Sequence, residues 1–165
     1  MAACSPKISG YSMPVVSAWE TIQCLCTSAR IQHAFADLND TIYFIPYRHD
    51  MNQHHEVRVF VYKGRVTAVS QYACETAGWF GQMSDDSLTT VAKNIIEFVK
   101  SMLVKITIDT MVVDLLILED KSPVLVELNS FGYWLATGSC CFNWTADRAQ
   151  LYGRKGDKVW FKVVV

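Results

Sequence analysis

Two apolar, β-branched runs, Met111 to Leu118 and Pro123 to Leu128, flank the turn-forming segment Glu119-Asp120-Lys121-Ser122. Such runs around a polar turn read as a β-hairpin, the strongest constraint this sequence places on its fold. If those four residues are the loop, Leu118 pairs with Pro123 and Asp114 lies directly opposite Glu127. Opposed residues on one face bring their Cβ atoms to about 4.5–5.5 Å, a distance at which like charges repel. Asn129, two residues beyond Glu127, points to the same face. Two carboxylates and an amide therefore converge on an otherwise Val, Leu and Ile hairpin. A divalent cation would convert their repulsion into binding, and all-oxygen ligands suit Mg²⁺. Two other readings stay open at this point. The acids could lie on a solvated face at a sheet edge, and a one-residue slip would send them to opposite faces.

The 165 residues fit one domain large enough for a real core, and 51% apolar with 19% charged side chains describes a folded chain. Formal net charge is −1 and no basic run stands out, which argues against binding a nucleic-acid backbone. No apolar run reaches the ~18 residues of a membrane span. Six cysteines, Cys4, Cys24, Cys26, Cys74, Cys140 and Cys141, fit neither a zinc-knuckle nor a redox spacing. Without a secretory signal they read as free buried thiols, and a cytoplasmic location is expected.

Residues 1–16 read as irregular. Ser17-Ala-Trp-Glu20 forms a capping box that opens a helix through Ser28, with Ile22, Leu25 and Cys26 on the face expected to pack on a sheet. A second short helix is expected over Ile31 to Leu38, then a strand Thr41 to Ile45 stopped by Pro46. The polar run from Arg48 to His55 reads as a loop, and its three histidines (His49, His54, His55) as solvated. Glu56–Tyr62 and Arg65–Gln71 alternate around Lys63-Gly64, giving a second hairpin. With a two-residue turn and no irregularity, Val57, Val59 and Val61 face Ser70, Ala68 and Val66, while Arg58 reads as solvent-exposed. Asp85-Asp86-Ser87 is expected to cap a long helix with Leu88, Val91, Ala92, Ile95, Val99, Met102 and Leu103 as its core stripe. After the acidic hairpin come a loop over Ser130 to Phe142, a short helix capped by Asn143 or Thr145, and a last strand from Lys158 to Val164. The order predicts an α+β fold with a mainly antiparallel sheet.

No phosphate-cradling glycine loop and no local nucleophile signature is present. Several segments do resemble one known family. Glu56-Val-Arg58-Val-Phe60-Val with Gly64-Arg-Val-Thr-Ala-Val-Ser70-Gln71 is similar to a hairpin of the cell division cycle protein 123 family. Val113-Asp114-Leu, then Val126-Glu127-Leu-Asn129-Ser-Phe131-Gly132, Thr137 and Phe142-Asn-Trp144, resemble a second block of that family. Ser5-Pro6-Lys7 and the helix around Glu20 resemble two more of its segments, all in the same order.

The resemblance implies an ATP-grasp-like fold for residues 1–165 as a single domain, without the family's preceding N-terminal region. It implies that Asp114, Glu127 and Asn129 hold Mg²⁺ on the phosphates of ATP. It also implies that Lys7 and Arg58 touch phosphates and that Phe44 and Ile45 line the adenine. The pattern departs in places. Pro46-Tyr47-Arg48 stands where the family has a basic segment, Ser130 replaces a proline, and Glu127 replaces the usual Asp. The function implied is a nucleotide-binding assembly factor, for which a translation initiation factor subunit is a candidate partner. Exposed-looking Trp79, Phe80, Tyr133 and Trp134 are candidates for the contact surface. An ATP-dependent carboxylate–amine ligase is the alternative, so whether the chain is an enzyme stays open. A structural descendant that no longer binds nucleotide is a further alternative.

Overall fold

The computed structural model describes residues 15–27, 46, 48, 51–135 and 137–165. The chain divides into two compact units, Met1–Met51 and Asn52–Val165. The expected helix over 31–38, the strand over 41–45, and Lys7, Phe44, Ile45 and His49 lie outside the described residues.

In the first unit, α1 spans Ala18–Thr27. Ser17 Oγ accepts from the Glu20 amide at 3.2 Å, and the Glu20 carboxylate accepts from the Val16 amide at 2.8 Å. The capping box thus forms with its return bond one residue early. Ile22 and Cys26 are exposed and Leu25 is half-buried, so α1 keeps no fully buried side chain.

The second unit is built on a five-stranded sheet: β1 (Glu56–Tyr62), β2 (Arg65–Gln71), β3 (Met111–Ile117), β4 (Pro123–Asn129) and β5 (Trp160–Lys162). Their spatial order is β4-β3-β1-β2-β5. All pairings are antiparallel except β2 with β5, which is parallel. One face is packed by α2 (Asp85–Leu103), whose Val91, Ile95 and Val99 are fully buried against Val57, Val59, Val113 and Leu115. The N-cap of α2 is Ser84, whose hydroxyl accepts from the Ser87 amide, so the helix starts just before the acidic pair expected to cap it. That pair then occupies the first turn, where negative charge complements the helix dipole. The opposite face is covered by the segment from Ser130 to Tyr152, including the short α3 (Arg148–Leu151). Here Phe60, Ala68, Val112, Phe142, Trp144 and Leu151 form a second core. Phe142 and Trp144 meet Phe60 edge-on at 5.7 and 5.4 Å. Edge-to-face pairs of this kind contribute about 0.5–1.5 kcal/mol each beyond burial.

Both hairpins depart from uniform pairing by one residue. At the first, Lys63 and Gly64 both have positive φ (50° and 72°), the backbone of a type I′ turn, and Tyr62 pairs with Arg65. A bulge then sets Phe60 opposite Ala68 and Val59 opposite Val69, leaving Thr67 as the extra residue. This corrects the uniform register expected above. Arg58 pairs with Ser70, and Val57 with Gln71. Thr67 is tied in place because its hydroxyl donates toward Leu151 O (2.6 Å) and Phe60 O (3.2 Å).

The acidic hairpin turns through three residues rather than four. Lys121 N donates to Leu118 O, Leu118 N donates to Ser122 O, and Lys121 has φ 67°. This is a type I turn closed by a left-handed residue. Ile117 therefore pairs with Pro123, one step away from the expected register. A bulge at Val126 makes up the difference, and beyond it Asp114 pairs with Glu127.

Among the described cysteines Cys74, Cys140 and Cys141 are free, and Cys26 and Cys74 are exposed. Cys24 is disulfide-bonded. Both observations correct the expectation of buried free thiols throughout. No helix of the described residues is long and apolar enough to cross a membrane.

Candidate functional site

The bulge at Val126 decides which face carries Glu127. In the register nearest the turn, Leu115 faces Leu125, so if Val126 stayed in the ladder Asp114 would face Val126 and Glu127 would turn to the α2 side. With the bulge, Asp114, Glu127 and Asn129 share the face opposite α2. Bulges are common where a strand must re-aim one side chain.

Asp114 is 1% exposed on β3 and sits directly across from Arg58 on β1, itself 6% exposed. The pair is bidentate. Arg58 Nε donates to Asp114 Oδ1 at 2.8 Å and Nη2 donates to Oδ2 at 2.7 Å. The third direction of the fork is used as well, because Nη1 donates to Gly138 O at 2.7 Å. The guanidinium lies 5.0 Å from the centroid of the Tyr72 ring. A Cβ at Gly138 would come to 3.2 Å from Arg58 Nη1, so the absence of a side chain there lets the loop backbone close on the arginine. Arg58 is thus a buried organising group, and the expectation of a solvent-exposed side chain is corrected.

Asn129 completes the cluster. Its amide nitrogen donates to Asp114 Oδ2 at 3.0 Å and to Glu127 Oε1 at 3.2 Å. Burial pushes the Asp114 carboxyl above its ordinary range, Arg58 pulls it down, and Glu127 adds to the upward push. Burial works against the Arg58 charge too, but the Asp114 carboxylate more than offsets it and binds the guanidinium proton more tightly. Asp114 is buried while Glu127 is exposed, so the cluster lies where the buried ion pair meets solvent. Among the described residues no group of three His, Cys, Asp or Glu side chains could hold a metal ion. A cation here would need Asn129 as the third donor, and a half-turn of its amide presents Oδ1 in place of nitrogen. The donor set of two carboxylates and one amide oxygen is the hard-oxygen chemistry that Mg²⁺ takes.

The loop that receives Arg58 also holds Cys140, at φ 51°. Burial drives its thiol up to about 12, against the pull of Arg58. Ser70, the strand partner of Arg58, accepts from the Cys141 amide at 2.9 Å and so fastens the same loop to β2. Sequence reasoning missed Gly138 and Tyr72, which belong to no motif, the first acting through its carbonyl, and it gave Ser70 no role although Ser70 stands in the resembling hairpin. The contact-surface candidates divide. Phe80 is fully buried and Trp79 is half-buried against His55, whereas Tyr133 and Trp134 are exposed, Trp134 at 89%.

A family model described as D123 matches residues 41–164, three quarters of the chain. Among solved structures, Cdc123 from Schizosaccharomyces pombe is similar with a TM-score of 0.62 and 19% identity, covering 89% of this chain and 61% of that one. A C-terminally truncated form of the same protein gives 0.62 and 18%, over 89% and 62%. The chain thus spans about three fifths of the length of these structures. No curated protein matches it. The sheet built from two hairpins, helix-packed on one face, fits the ATP-grasp-like fold of these structures. The resembling segments from Glu56 to Trp144 lie inside the matched range, Ser5-Pro6-Lys7 and the helix around Glu20 lie outside it, and the chain belongs to the D123 (Cdc123) family.

Proposed function

We propose that this chain binds ATP·Mg²⁺ at the Asp114–Glu127–Asn129 cluster and acts as a nucleotide-dependent assembly factor for a protein partner. A translation initiation factor subunit is the partner class that the family suggests. The observation that carries the reading is the placement of Glu127 by the Val126 bulge, on the face and at the register position opposite Asp114. Asp114, Glu127 and Asn129 would be the ligands. A bound cation would neutralise phosphate charge. Arg58 would orient the Asp114 carboxylate, keep it ionised in a buried site and fix the 138–141 loop beside it. Lys7, Phe44 and Ile45 remain assigned to phosphate and adenine by the family resemblance alone.

One observation favours a second reading. Arg58 engages both oxygens of Asp114 and the Asn129 amide bridges Asp114 to Glu127, a hydrogen-bonded arrangement that a structural descendant without a cation would also keep. Thermal melting with millimolar ATP and Mg²⁺ separates the two. A ligand at 100 times its Kd adds about 2.7 kcal/mol of stability. The nucleotide reading requires an upward Tm shift that Glu127→Gln abolishes. Equal melting with and without nucleotide selects the structural descendant. ADP release that depends on an added carboxylate and amine would select the ligase.

A further inference from the structure

On the same face of the sheet as Arg58, four residues along β1 and so about 13 Å away, Tyr62 begins a second cluster. Its ring lies 5.0 Å from that of Tyr152. Four cations gather around the two rings. Lys63 Nζ is 5.5 Å from the Tyr62 centroid, and the Arg148 and Arg154 guanidinium carbons are 5.4 and 5.9 Å from the Tyr152 centroid. Arg65 completes the set, for a groove of about 190 Å³ is lined by Tyr62, Lys63, Arg65, Thr67, Tyr152 and Gly153. No acid is among those lining residues. Gly153, at φ 63°, keeps the groove open on one side, since a Cβ there would reach 3.0 Å from Thr67 Cγ2.

The charge here is poorly compensated for a chain whose net charge is −1. Asp157 takes Arg65 Nη1 at 2.8 Å, on the exposed rim. The Asp109 carboxylate accepts from the Thr110 hydroxyl, and Asp147, next to Arg148, is paired with Lys162 at 2.8 Å. Among the described residues Lys63, Arg148 and Arg154 make no ion pair and are exposed. Like charges gathered around one groove repel each other, and an anion would relieve that repulsion. Guanidinium groups laid on an aromatic ring keep their N–H edges available for a planar or tetrahedral oxyanion. Ring contacts with cations also leave Tyr62 and Tyr152 less able to stack on nucleobases, the usual means of gripping a single strand. Several separate cations around a small groove suit the three oxygens of a phosphate better than the two of a carboxylate.

We infer that the Tyr62–Tyr152 groove is a binding site for a phosphate monoester group, separate from the Asp114 cluster. Its source is either a small phosphorylated molecule or a phosphorylated side chain of a protein. The inference stands apart from the nucleotide reading, and the test keeps them apart. Amide resonances of Gly64 and Gly153 are followed in the full chain by NMR during titration with inorganic phosphate, O-phosphoserine and glutamate. Saturable shifts are expected with the two phosphates and not with glutamate. Lys63→Gln with Arg154→Gln, both exposed and outside the core, is expected to weaken phosphate binding at least about tenfold, the effect of losing charge-assisted hydrogen bonds. Glu127→Gln is expected to leave it unchanged. Tighter binding of O-phosphoserine would assign a protein source, and equal binding a small phosphorylated molecule. Shifts that fail to saturate, an equal response to glutamate, or unchanged affinity in the double variant would overturn the site. So would an oligoribonucleotide that displaces phosphate with base-dependent affinity.

Discussion

Asp114 and Arg58 are each the other's counter-ion in a site that water barely reaches, so removing either leaves a buried charge alone. Breaking a buried pair from one side costs about 3–5 kcal/mol, whereas replacing both members with apolar residues of similar volume is often near neutral. Asp114→Leu and Arg58→Met are each expected to lower the urea midpoint strongly, with the double variant recovering most of the loss. Additive losses would show that the pair contributes through its separate contacts and not through mutual neutralisation. His55 allows a different check. Packed against Trp79 at 4.1 Å, its imidazole has a pKa lowered from 6.5 by burial, with His54 adding to the effect and Glu119 opposing it. Between that lowered value and 6.5 the unfolded chain binds more protons than the folded one, so stability rises with pH across this window. Acidification below about pH 6.5 is therefore expected to lower the Tm, and His55→Phe, which keeps a ring against Trp79, to remove that slope.

At the scale of strands and loops, the two bulges do what neither hairpin sequence announces. The alternation of β1 and β2 was legible, as were the Lys63-Gly64 turn and the core stripe of α2. The acidic hairpin was legible as a hairpin, and its Asp114–Glu127 pairing came out as expected for a reason the residues do not display. A four-residue loop with uniform pairing and a three-residue loop with a bulge at Val126 give the same partners. The difference is energetic and local, since Lys121 must adopt positive φ while Val126 leaves the ladder. Arg58 read as exposed because its burial depends on Gly138, 80 residues away, and on a loop whose sequence shows no periodicity. Deleting Val126 tests the element directly. The shortened strand would pair uniformly from the turn, Leu115 with Leu125 and Asp114 with Glu127, so the two acids keep their shared face without the bulge. The expected result is a folded protein with unchanged far-UV circular dichroism and a retained ATP·Mg²⁺-dependent rise in Tm. Loss of the nucleotide response in a folded variant would contradict placement of the ligands by this pairing.

For the molecule as a whole, an ATP-grasp-like fold works by charge placement more than by reactive side chains. The unit from Asn52 to Val165 supplies two acids, an amide and an arginine that holds one acid in place. The central claim is that a divalent cation bridges Asp114 and Glu127 to a nucleotide. Mn²⁺, which accepts the same oxygen donors, reports this through its electron paramagnetic resonance signal. Titrating the chain with Mn²⁺ in the presence of ATP, against an ATP-only control, is predicted to show saturable loss of the free-ion signal at one equivalent, and Glu127→Gln to weaken it. A signal no different from the control, or one that Glu127→Gln leaves untouched, would contradict the account.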